Sequence, residues 1–190
     1  LVHDPFNYLT NRPLNSNLGI YEILIHNINK SSQYAKIKGN PCIYIDDFFQ
    51  ELPPQVLVLR PATLVAGIGC NRGTDAQEIS DHLNQVLKCH RLASTSLKCL
   101  ASIDVKNDEA GLIEVAESIN LPLIFFTREE LNQVKGIKNP SPVVEKHVGV
   151  QSVCEAAAIR ASHAGTLIVP KQTTQNVTVA IARINFLLSE

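Results

Sequence analysis

Residues 63–87 read TLVAGIGCNRGTDAQEISDHLNQVL. The apolar run Leu64, Val65, Ala66 and Ile68 reads as a strand, and it breaks into a glycine-dense turn, Gly67-Ile68-Gly69-Cys70-Asn71-Arg72-Gly73. Beyond the turn, Ala76, Ile79, Leu83, Val86 and Leu87 recur at helical spacing. Thr74 with Gln77 three residues later has the form of a capping box and places the helix start. The stretch is a strand, a turn and a helix.

Two readings of the turn compete. In the first, three glycines let the backbone bend sharply and approach a ligand, while the new helix offers free N–H groups and its positive dipole end. Arg72 adds a fork of donors suited to a carboxylate or phosphate, so the expected guest is a small anionic group. In the second, the strand-to-helix turn needs glycine for its backbone alone. Neither nucleotide fingerprint fits, because Cys70, Asn71 and Arg72 separate two glycines that the dinucleotide motif spaces by two residues. The phosphate loop, in turn, wants Lys where Gly73 stands.

The chain has 190 residues, 45% of them hydrophobic, and a formal net charge of -1. This suits one globular domain, or one domain with an appendage, and does not suit a nucleic-acid or membrane-surface binder. Charged residues, Asn or Pro interrupt every apolar run before it reaches the ~18 residues of a membrane span. No signal-peptide pattern opens the chain. It starts at Leu1 and contains no Met, so it is expected to be a piece of a longer protein. The cysteines Cys42, Cys70, Cys89, Cys99 and Cys154 are odd in number and form no CxxC pair, which argues for a reducing, cytoplasmic setting. The histidines show no ligand spacing, so no protein-held metal and no cofactor are expected.

Before residue 55 the sequence says least. Tyr21–His26 and Cys42–Ile45 read as short strands, Val2–Pro5 and Asn11–Pro13 as loops, and Leu52-Pro53-Pro54 as a boundary. From Gln55 the alternation is regular. Val56–Leu59 reads as an edge strand, Leu97–Ser102 as a strand, and a helix capped by Asn107 carries Leu112, Val115, Ala116 and Ile119 on one face. Leu121–Phe126 is a further strand, Thr127 and Glu130 form a capping box for a short helix to Val134, and Lys135–Ser141 is loop. Val153–Ala161 is a small-residue helix, and Thr166–Val169 and Val177–Ala182 are strands separated by a polar loop at 171–176. Strand–helix alternation implies parallel pairing, and the closing strand pair implies an antiparallel edge. The expected fold is α/β, a three-layer α/β/α domain at 55–190 with a mixed, mainly parallel sheet. Residues 1–54 form a small N-terminal appendage or a remnant of the preceding region and linker.

Several polar residues admit a chemical and a structural reading. Lys106 and Glu109 lie at a strand exit, where open α/β sheets hold ligands, and could grip a carboxylate and act as acid or base; equally, Asp108 and Glu109 suit a solvated first helical turn. Glu155 stands in a capping box with Ser152. Lys171 follows a strand, though a lone loop lysine is usually solvated. Cys70 could be a nucleophile near a helix N-terminus or simply a packed thiol.

Taken together, Gly67 to Thr74, Leu100 to Leu112, Pro140-Ser141, Val148 to Ala158, and Lys171 with Val177 to Arg183 resemble the C-terminal domain of the CbiG family, shared with CobE. The resemblance covers about residues 55–190. Leu52-Pro53-Pro54 with Val58–Pro61 is similar to the linker entering that domain. One departure is Asn71, where the family usually carries an arginine.

The resemblance implies cobalamin biosynthesis: hydrolytic opening of the cobalt-precorrin-5A lactone with release of acetaldehyde, the cobalt arriving within the corrinoid substrate. The alternative is a non-catalytic module that holds or hands on a corrinoid intermediate. Carried onto this chain, the resemblance makes Glu109 and Glu155 the candidate catalytic residues. Gly69, Cys70, Arg72, Gly73, Thr74, Ser102, Lys106, Ser141 and Lys171 are the candidate substrate-binding residues. No nucleic acid or membrane partner is expected, and a homodimer is left open.

Overall fold

A computed structural model of the chain describes residues 2–3, 42–52, 54, 56–139, 150 and 152–185. The expectations for Tyr21–His26, Asn11–Pro13 and Ser141 lie outside the described residues. The chain divides into two compact units, Leu1–Pro61 and Ala62–Glu190.

In the first unit, β1 (Val2–His3), β2 (Cys42–Ile45) and β3 (Val56–Leu59) pair in parallel, in that order. The sequence reads Val2 and His3 as loop, yet they pair with Ile43 and Tyr44. A two-residue ladder depends on the free edge of β2, which local composition does not reveal. β3 is an edge strand as expected, but of this sheet, and it closes the first unit instead of opening the second. Arg60 ties the unit's end together: Nη1 donates to Asp46 O at 2.9 Å and to Phe48 O, and the guanidinium lies 5.4 Å from the Tyr44 ring centroid.

The second unit is the expected three-layer α/β/α arrangement. Its elements are β4 (Leu64–Cys70), α1 (Ala76–Cys89), β5 (Leu97–Ile103), α2 (Ala110–Ser118), β6 (Leu123–Phe126), α3 (Arg128–Asn132), α4 (Val153–Ala161), β7 (Thr166–Thr173) and β8 (Val177–Arg183). The sheet runs β6-β5-β4-β8-β7. β4, β5 and β6 are parallel, β8 opposes β4 and β7 opposes β8, so only β8 points the other way. The period of two along β4 builds the layers. Leu64, Ala66 and Ile68 pack with Ile79, Leu83 and Leu112 of α1 and α2, while Val65 packs with Val153, Ala156 and Ala157 of α4 on the other face.

Several local expectations give way to tertiary partners. β4 continues to Cys70, so Gly67 and Gly69 belong to the strand and not to the turn. A Cβ on Gly67 would lie 1.9 Å from Cys154 O, which shows how closely α4 sits on the sheet. Gly73, at φ +72°, is the glycine the turn itself requires.

The cap of α1 is Asp75, whose carboxylate accepts the Gln77 N–H at 2.7 Å; Thr74 instead donates its hydroxyl to Asn71 O at 2.8 Å. A carboxylate at the positive helix end outcompetes the hydroxyl one residue earlier. Asn107 does not cap α2, because a 3₁₀ turn at Asp104–Lys106 ends there and delays the helix, making Glu109 its cap position. Ser152 stands at the cap position of α4 without a side-chain capping bond. The Thr127–Glu130 capping box forms as read, although α3 ends at Asn132. β7 extends through Thr173, so the polar connection shrinks to residues 174–176. Among the described residues, no helix is long and apolar enough to cross a membrane.

Candidate functional site

The strands separate at the C-terminal end of β4. Its pairing with β5 stops at Gly67–Ala101, while its pairing with β8 continues to Cys70–Val177. Ser102, fully buried in β5, reaches across to donate to Ile68 O at 2.7 Å, satisfying a carbonyl the ladder leaves behind. A hollow of about 440 Å³ opens beyond this point, where the carboxyl end of β4 lies between a parallel and an antiparallel neighbour.

Gly69, Cys70 and Ile103 contribute its sheet side, and Val105 and Lys106 come from the turn after β5. The first turn of α4 supplies Ser152, Val153 and Cys154, and the β7–β8 hairpin supplies Lys171 and residues 173–178. The result is an apolar interior with ammonium, amide and hydroxyl groups around it.

Lys106 is held by Glu109. Its Nζ lies 3.0 Å from Glu109 Oε2, while Glu109 Oε1 accepts the Gly73 N–H at 2.7 Å. Arg72 comes within 3.7 Å of the same carboxylate, but its hydrogen bonds go to Asp108 and, at 2.9 Å, to Val105 O. The anion expected at the turn after β4 is therefore supplied by the chain itself. Burial pushes the Glu109 pKa up, but the Lys106 hydrogen bond, the Gly73 N–H and the Lys106 and Arg72 charges outweigh it. The carboxyl ends below its ordinary value.

Glu155 is fully buried and forms no capping box. Four donors converge on it: Lys138 N–H at 2.6 Å, Asn139 N–H at 3.1 Å, and Asn139 Nδ2 and Lys171 N–H, each at 2.9 Å. Burial again pushes its pKa up, and the donors, Lys171 N–H foremost, bring it below the ordinary carboxylate value. Lys171 Nζ then donates to Asn139 O at 3.0 Å.

Reading the sequence misses a clip across the hollow's rim. Asn71 N–H donates to Asn176 O at 2.9 Å and Asn71 Nδ2 to Asn176 Oδ1 at 3.0 Å. Asn176 Nδ2 in turn donates to Glu78 of α1 at 3.1 and 3.2 Å. The available signal was the polar content of the 171–176 connection, but the placement of β8 beside β4 had to be known first. Burial pushes the Cys70 thiol up, with Lys106 opposing, which fits a packed thiol better than an activated nucleophile.

Of the residues singled out from sequence, Gly69, Cys70, Lys106 and Lys171 line the hollow together. Gly73, Glu109 and Arg72 form the network behind Lys106, and Glu155 stands behind Lys171. Thr74 and Ser102 are buried in structural hydrogen bonds. Among the described residues no group of His, Cys, Asp or Glu could hold a metal ion.

Comparison with known proteins adds the biological context. The family model described as "Cobalamin synthesis G C-terminus" matches residues 64–182. A cobalt-precorrin-5A hydrolase from Priestia megaterium is 38% identical over 130 residues, covering 68% of this chain and 34% of the relative. The enzyme of that name from Salmonella typhimurium is 34% identical over 140 residues, covering 74% of this chain and 40% of the relative. The crystal structure of CobE, a protein from the cobalamin biosynthetic pathway, matches with a TM-score of 0.61 and 34% identity, covering 67% of this chain and 92% of CobE. The chain thus spans less than half the length of the hydrolases it matches.

Proposed function

We propose, from the premise that this chain belongs to the cobalamin synthesis G C-terminal family, that it acts in cobalamin biosynthesis as the corrinoid-holding part of a cobalt-precorrin-5A hydrolase. The observation that carries this reading is the hollow at the end of β4, which combines apolar walls with Lys106 and Lys171. An amphipathic ring edged with carboxylates needs that pairing of surfaces. The hollow is smaller than such a ring, so it takes an edge of the macrocycle and leaves the remainder for other surfaces. Cobalt enters within the substrate. A cytoplasmic location belongs to the same proposal, in keeping with free thiols at Cys70, Cys89, Cys99 and Cys154.

Hydrolysis of the lactone requires water to attack its carbonyl and the two-carbon fragment to leave as acetaldehyde. Glu109 and Glu155 are the buried carboxylates nearest the hollow's two lysines, and both are ionised at neutral pH. A second reading, a binding or hand-over module, is favoured by two observations: the chain covers 92% of CobE, and four donors occupy the lone pairs that Glu155 would need to act as a base.

The purified chain, supplied with cobalt-precorrin-5A, separates the two. Acetaldehyde release that falls in kcat, with KM unmoved, on Glu109→Gln or Glu155→Gln supports the hydrolase with those residues as bases. Tight binding without acetaldehyde supports the module. Failure to bind the ring at all refutes both.

A further inference from the structure

Resting on the corrinoid reading, we propose that Glu109 and Glu155 are positioning residues. They hold Lys106 and Lys171 as a two-point clamp for two separate carboxylates on the edge of the ring.

The geometry on each side is of one kind. Glu109 is 4% exposed and Glu155 is 0% exposed, so neither is open to a large ligand. Each spends its oxygens on fixing a lysine. Glu109 takes one hydrogen bond from the Lys106 ammonium and ties it to the turn after β4 through Gly73 N–H. Glu155 takes the Lys171 backbone N–H and orders Lys138 and Asn139, whose loop then presents the Asn139 carbonyl that anchors Lys171 Nζ. An ammonium has three donors, and among the described residues one is used internally on each lysine, so the others can turn to a ligand in the hollow that both side chains line.

Sheet order sets the spacing. Lys106 follows β5 and Lys171 lies in β7, with β4 and β8 between them. Three inter-strand steps separate the two strand axes by about 14 Å. The two lysines thus enter the shared hollow from opposite sides, and carboxylates spread around the edge of a macrocycle can meet both approaches at once. The two anchors also differ in charge. Glu109 already shares the Lys106 charge, whereas the Lys171 ammonium is in no ion pair among the described residues. Lys171 should therefore contribute more to carboxylate recognition.

The test compares two probes on the whole chain by calorimetry: cobyrinic acid, with free side-chain carboxylates, and cobinamide, with those groups amidated. The wild type is expected to prefer cobyrinic acid, and Lys171→Met to reduce that preference by roughly tenfold, the value of one charge-assisted hydrogen bond. Lys106→Met should reduce it less, and both changes should cost cobinamide, whose amide carbonyls accept only neutral hydrogen bonds, less affinity than cobyrinic acid. Glu155→Gln should shift the preference in the wild-type background and not in the Lys171→Met background; Glu109→Gln should behave likewise toward Lys106→Met. The ratio of the two affinities is insensitive to partial unfolding, since both probes meet the same folded fraction. Should Glu155→Gln fail to fold, the two lysine variants carry the test. A preference that survives the double lysine variant, or glutamate effects that ignore the lysine background, overturns the clamp. Equal binding of both rings by the wild type also overturns it but leaves the corrinoid reading standing, and binding of neither ring ends both.

Discussion

A buried carboxylate can serve chemistry or architecture, and at Glu155 the donors decide. Four of them hold the ionised form, so its pKa is lowered on folding despite burial. A lowered folded pKa gives stability that is complete above the ordinary glutamate value of about 4.3 and is lost as pH falls through the folded value. Glu155→Gln must turn an amide NH₂ toward at least one of these donors, which should cost about 2–3 kcal/mol at neutral pH. Urea unfolding over a pH series should show that difference narrowing below about pH 4. A difference independent of pH would contradict the assignment of an ionised Glu155. The same sign applies to Glu109, whose pKa is also lowered.

Two glycines of the central stretch differ in kind, and elements explain why. Gly67 sits in β4 under α4, where an added Cβ would meet Cys154 O at 1.9 Å and Ala158 N at 2.7 Å. Gly73 has φ +72° with nothing within 4 Å of an added Cβ. Gly67→Ala must push helix and sheet apart, an overpacking cost of about 3 kcal/mol or more. Gly73→Ala costs only the left-handed backbone, about 1 kcal/mol. Thermal denaturation should therefore rank Gly67→Ala far below Gly73→Ala; the reverse order would mean α4 does not lie against β4. The ranking was hidden in the sequence, where both residues look like parts of one turn. Thr127 with Glu130 was legible because both partners lie within one helical turn. Ser152 with Glu155 misled for the opposite reason, since a distant loop captured the Glu155 carboxylate, whereas Thr74 and Asn107 lost their cap positions to immediate neighbours, Asp75 and a 3₁₀ turn.

At the scale of the whole chain, the described contacts that build the hollow all lie in the unit that begins at Ala62. A fragment from Ala62 to Glu190 should unfold cooperatively and bind cobyrinic acid as tightly as the full chain; a large loss of affinity would mean that residues before Ala62 contribute to the site. The amino-acid sequence by itself determined the succession of strands and helices from Leu64 to Arg183, the mixed sheet with its antiparallel closing pair, and the family, because periodicity and short motifs are local properties. The tertiary structure alone decided that Lys106 and Lys171 border one hollow and that Glu109 and Glu155 are bound up in holding them. Those meetings follow from the strand order β6-β5-β4-β8-β7, which joins residues distant along the chain through packing and hydrogen bonds that no local window contains.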